Sequence, residues 1–135
     1  MKTLHFSFGL LVFVMVWLRL AIRLLSPTSR LDPAIPFWQR HSARLAHAAL
    51  YALMIAMPLL GWLALSAAGK PVPFFGLEVS ALIDENINLA KPIKKLHETI
   101  GSAAYLLIGL HAAVALFHHY VRGDNTLRRM LPKRA

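Results

Sequence analysis

Three apolar runs decide what this chain can fold into. Residues 4–25, 45–68 and 96–121 are each long enough, at ~1.5 Å of rise per helical residue, to cross a hydrocarbon layer of ~30 Å. Lipid offers no partners to backbone N–H and C=O groups, so each run is expected as a helix that satisfies its own. Of 135 residues, 57% are hydrophobic and 16% charged, a balance too apolar for an ordinary soluble domain of this size. The expected fold is all-α: a transmembrane helical bundle with three spans in a single domain, 1–135. No Gly/Ser-rich linker, repeat or low-complexity stretch divides it. In the first run Arg19 and Arg23 leave only 4–18 uninterrupted. They lie near its end, where long side chains reach the headgroups. Lys2 with this run also has the outline of a signal peptide, but no small-x-small cleavage site follows and two arginines close the run.

The formal net charge of +9 would suggest nucleic acid in a soluble protein. Here it follows membrane topology instead. Arg19, Arg23, Arg30, Arg40 and Arg44 face one acid, Asp32, between the first two spans, and Arg122, Arg128, Arg129, Lys133 and Arg134 face Asp124 in the tail. Both segments fall on one side of a three-span chain, and the positive-inside rule puts the loop 26–44 and the tail 122–135 in the cytoplasm. A short N-terminus and the loop 69–95 are then periplasmic. No nucleic-acid partner is expected. The chain has no cysteine, which removes disulfides, iron–sulfur clusters and thiolate chemistry.

The histidines of the third run carry the chemistry. Fourteen residues turn a helix through about 1400°, close to four full turns, so His97 and His111 share a face ~21 Å apart along the axis. One metal cannot use both. His5 lies near the outer end of the first span, which runs in the same direction as the third, so His5 and His97 stand at similar depth. Two neutral imidazoles on neighbouring helices can fill the axial positions of a haem iron. Gly9 and Gly101 each lie one turn below a histidine and leave room for a flat macrocycle, although small residues also serve plain helix packing. Arg19, fourteen residues after His5, is placed on the His5 face. It serves there as the cation for a propionate of an inner haem or simply as a topology charge. His47, early in the second span, is a shallower candidate for pairing with His111. His118 and His119 lie near the inner interface, where they could cap a site, meet a quinone head group or face water.

The stretch HETIGSAAYLLIGLHAAVALFHHYVRGDNTLRRMLP resembles the last helix and tail of the bacterial cytochrome b561 family, di-haem b-type proteins of the inner membrane. RLAIRLLSPT and RLAHAALYALMIAMPLLGW resemble the preceding inner loop and helix, so the resemblance covers essentially the whole chain. Family members have four helices. The resemblance makes His5 the ligand of the second helix and His97 and His111 the two ligands of the last. Haem b is the implied cofactor, with the outer haem on His5 and His97. The inner haem would use His111 and a histidine of the family's first helix, and Met1 falls where the family's second helix begins. The expectation is therefore a chain with the last three helices of a four-helix haem-binding bundle. Such a chain reflects a misplaced start or a true short form. It would bind one haem, recruit His47 by movement of the second helix, or borrow a helix from another chain as a homo-oligomer.

The resemblance also implies single-electron transfer between a small outer donor and ubiquinone, with superoxide as the donor in at least one type of member. Lys91, Lys94 and Lys95 precede His97, and a cationic rim with low-dielectric walls concentrates an anion such as superoxide. Lys70 is a further contributor, and Glu78, Asp84 and Glu85 balance part of the run. Phe74, Phe75 and Leu77 suggest an interfacial segment, expected as a short helix over the haem edge. Glu98 is placed to accept the His97 ring proton or to hold the helix start. Two other classes stay open: a haem-binding anchor or electron-transfer subunit of a larger dehydrogenase or hydrogenase, and a haem-free membrane protein binding a metal through its histidines.

Overall fold

The computed structural model describes residues 2–26, 36–121 and 123. Three helices carry the chain: α1 (Lys2–Leu25), α2 (Phe37–Ala67) and α3 (Ile87–Tyr120), with an antiparallel pair, β1 (Val72–Phe74) and β2 (Leu77–Val79), between the last two. Each helix is long and apolar enough to cross a membrane. The fold is thus an all-α, three-span transmembrane bundle with one small hairpin. The charges at 27–35, 122 and 124–135, which entered the topology argument, lie outside the described residues.

The chain divides into two compact units, Met1–Gly101 and Ser102–Ala135. In the first, α1 buries only a stripe, Ser7, Leu10 and Val16, while Phe8, Val14, Met15, Trp17, Leu18 and Ile22 stay more than half exposed. That is the pattern of a helix with one protein neighbour and lipid for solvent, where apolar exposure costs nothing. In the second unit Ala104 is buried, and Tyr105 and Leu106 are exposed.

The helices outrun their apolar runs. α2 starts at Phe37, directly after Pro36, because its first two turns carry Phe37, Trp38, Arg40 and Arg44, the aromatic and basic mixture suited to a headgroup layer. It ends in a Schellman motif: Gly69 N–H donates to Ser66 O (3.0 Å) and Lys70 N–H to Leu65 O (3.0 Å). Gly69 sits at φ +62° against the Glu85 carboxylate, which would stand 2.6 Å from any Cβ there. α3 starts well before the expected 96, within the segment expected as loop 69–95. Asn86 caps it, accepting at Oδ1 from Asn88 N–H (3.1 Å) and at its carbonyl from Leu89 and Ala90 N–H. Asn86 N–H in turn donates to Ala67 O (2.9 Å), tying the start of α3 to the end of α2.

The segment Phe74–Leu77, expected as a short helix, is instead the turn of the hairpin. Val72 pairs with Val79 and Phe74 with Leu77, leaving Phe75 and Gly76 as a two-residue turn. Both have positive φ, 47° and 89°, as a type I′ turn requires. Phenylalanine is a poor residue for that backbone, so neighbours must hold it. Phe75 N–H donates to the buried Ser7 Oγ (3.0 Å), which itself donates to Pro73 O (3.4 Å). The Phe75 ring meets Phe8 edge-on at 5.6 Å. Ser66 repeats the device from α2: its Oγ donates to Trp62 O (2.9 Å) and accepts from Leu82 N–H (3.1 Å), while Trp62 Nε1 donates to Ser80 O (3.0 Å).

Candidate haem site and family

The hairpin end of the first unit brings two histidines together. His5, on the second turn of α1, and His97, on α3, have ring centroids 6.1 Å apart and ring planes at 87°. Two imidazoles on opposite sides of one metal ion, with metal–nitrogen bonds of about 2 Å, hold their ring centres roughly 6 Å apart. His5 is exposed and His97 half-buried. His97 Nδ1 is a buried polar atom that faces the backbone of Met57 on α2, an orientation that leaves the ring's other nitrogen, Nε2, as the one to offer a metal. Among the described residues no group of three or more His, Cys, Asp or Glu gathers into a metal cluster. Two facing imidazoles are a donor set that could hold a haem iron, since the haem ring would supply the other ligands.

The glycines divide into different roles. A Cβ at Gly9 would meet nothing within 4 Å, so that face of α1 has clearance. At Gly101 a Cβ would stand 3.3 Å from the terminal methyl of Met57, making this glycine a packing contact between α3 and α2. The glycine that touches the histidine is Gly61 of α2, where a Cβ would stand 3.3 Å from His97 Cε1 and 3.6 Å from Nδ1. Sequence spacing selected glycines on the histidines' own helices. Gly61 belongs to the facing helix, and only helix packing reveals it.

The lysines lie on α3 itself. Lys94 Nζ pairs with the Glu98 carboxylate at 2.8 Å, so Glu98 holds a lysine, and as the twelfth residue of α3 it stands well past the helix start. Lys91 and Lys95 are exposed and form no ion pair among the described residues. Lys70 lines an open cleft of about 470 Å³ with Glu78, Asp84 and Glu85, where the acids offset its charge.

Arg19 points to α2: its Nε donates to Tyr51 OH at 3.2 Å. His47 is exposed on α2 in the first unit, and His111 is half-buried in the second. Within that second unit His118 meets Phe117 edge-on at 6.2 Å and His119 meets Tyr120 at 4.9 Å.

Comparison with known proteins fits this arrangement. The family model described as prokaryotic cytochrome b561 matches residues 1–133. Cytochrome b561 homolog 1 of Escherichia coli (strain K12) is 40% identical over 134 residues, covering 99% of this chain and 76% of that protein. A Yersinia pestis protein named Probable superoxide oxidase CybB is 38% identical over the same shares of the two chains. Cytochrome b561 homolog 2 of Escherichia coli (strain K12) is 34% identical over 131 residues, 96% of this chain and 70% of that one. Three spans, a facing pair of histidines and a match from end to end lead to one conclusion: the chain belongs to the prokaryotic cytochrome b561 family, multi-pass electron-transfer proteins of the bacterial inner membrane, and carries the haem-binding potential that membership implies.

Proposed function

We propose that this chain is a b-type cytochrome in which His5 and His97 are the axial ligands of one haem, and that it passes single electrons from a small anionic donor, superoxide in the first instance, to ubiquinone in the membrane. The 6.1 Å approach of the two imidazoles carries the reading. Bound haem supplies a one-electron couple. The chain's own residues would hold and shield it: His5 and His97 from two helices, with clearance at Gly9 and the His97 ring packed against Gly61. The name of the Yersinia pestis relative motivates superoxide. Superoxide loses one electron to become dioxygen, and two such electrons with two protons convert the quinone to quinol. Lys91 and Lys95, six and two residues before His97, supply the positive potential that draws an anion. His111 is read as a ligand of a second haem. The arginine-rich ends of α1 and α2 are assigned to the cytoplasm and the hairpin to the periplasm.

Detergent-purified protein expressed with ample haem should give the absorption spectrum of a bis-histidine b haem and a positive pyridine haemochrome assay. His97→Ala and His5→Ala should each remove the haem of this site. Folded protein without haem, or undiminished haem content in both variants, overturns the assignment.

A further inference from the structure

At the other end of the α1–α2 pair, Arg19, Arg23 and Tyr51 form a cluster that consists of donors. Arg19 and Arg23 are four residues apart on α1, so their charges share a face and repel each other. Both nevertheless converge on one side chain of α2. Arg19 Nε donates to Tyr51 OH at 3.2 Å, and Arg23 sets its guanidinium carbon 5.7 Å from the ring centroid. The phenol oxygen accepts, which leaves its own proton to be given away. Apart from the phenol oxygen itself, the two planar forks and the O–H meet no carboxylate or other acceptor among the described residues. Both guanidiniums are exposed.

The position limits what can complete the cluster. Arg19 lies twelve residues after Ser7, the anchor of the hairpin, or ~18 Å along the axis. Counted from Ser7, a ~30 Å hydrocarbon layer leaves Arg19 ~12 Å and Arg23 ~6 Å from the far interface, so the cluster spans the depth that long cationic side chains cover to reach headgroups. Helix-end topology explains a cation here. It does not explain two cations gathered on a tyrosine of the neighbouring helix. An exposed donor-only site at headgroup depth, between two spans, matches a phosphate, whose oxygens accept from guanidinium forks in pairs. We infer that Arg19, Arg23 and Tyr51 form a binding site for the phosphate of an anionic phospholipid. The inference does not depend on the haem ligand assignment.

Native mass spectrometry of the full-length protein tests it, with phosphatidylglycerol and phosphatidylcholine of identical acyl chains as the probes. Wild type should retain phosphatidylglycerol in preference. Arg19→Gln with Arg23→Gln should weaken that retention roughly ten- to thirty-fold and weaken phosphatidylcholine retention much less, since choline offsets the charge of its phosphate. Tyr51→Phe keeps the ring and removes the hydroxyl, and should give a smaller loss of the same selectivity, which guards against a misfolded double variant. Undiminished selectivity in both variants overturns the proposal. So does an equal loss for the two lipids. Loss of haem with lipid retention intact also overturns it, since the anion would then be a haem carboxylate.

Discussion

The two ends of the α1–α2 pair solve the same problem in opposite ways. At the hairpin end three polar side chains brought among the helices meet partners from the chain: Ser7 and Ser66 both donate and accept, and Trp62 reaches Ser80 O. At the arginine end two guanidiniums converge on a hydroxyl that is their one acceptor among the described residues, and the remaining donors there are unmatched. One end is finished by protein. The other is left for the membrane to finish. A haem site gains from the first arrangement, because its ligands must hold position as the iron changes charge. Contact with lipid gains from the second.

The sharpest way to break this contrast is at the serines. Ser7→Ala leaves the Phe75 N–H without its acceptor beside a strained backbone and should cost ~1–3 kcal/mol; Ser66→Ala does the same to Leu82. Thermal unfolding in detergent and limited proteolysis at 75–76 measure it, and an unchanged melting temperature with an uncut hairpin would remove the closed-end description. Gly61→Ala comes next. Its new Cβ would stand 3.3 Å from His97 Cε1, so the ring must give by a few tenths of an ångström. The expected outcome is a shifted haem potential or absorption maximum at near-normal haem content, while Gly9→Ala, with open space around it, should change less. Lys91→Ala with Lys95→Ala should slow oxidation of an anionic donor several-fold at low salt and hardly at all at high salt; stopped-flow rates across ionic strength decide. The smallest effect belongs to the Lys94–Glu98 pair. It is exposed, and its order along the helix is the less favourable one, so Lys94→Ala should leave the melting temperature in detergent unchanged within error.

The spans were legible because lipid imposes a length and denies the backbone other partners. Their ends were less so. Apolarity stops at the headgroups but a helix need not, and α2 runs on through Phe37 and Trp38. The Asn86 cap was present as a signal, yet Pro92 and the charges after it read as loop. The hairpin was hidden for a different reason: its turn carries Phe75 where Asn or Gly is usual, and what makes that tolerable is Ser7, far away in sequence. Depth and helical phase were enough to pair His5 with His97, the two histidines that the structure brings together. They could not find Gly61 or Tyr51, because which side of α2 faces a neighbour depends on packing. The functional roles of the lysines, His47 and His111 rest on the family resemblance and on the experiments above.

Ser7 also has a consequence for the order of assembly. Its partners, Pro73 and Phe75, lie 66 and 68 residues further along. During synthesis the first span therefore enters the membrane with this hydroxyl still unmatched, and the match cannot be made until the second span and the hairpin have emerged. A strained phenylalanine turn has little reason to close by itself. Its closure on Ser7 requires that the first two spans and their connection have all been made.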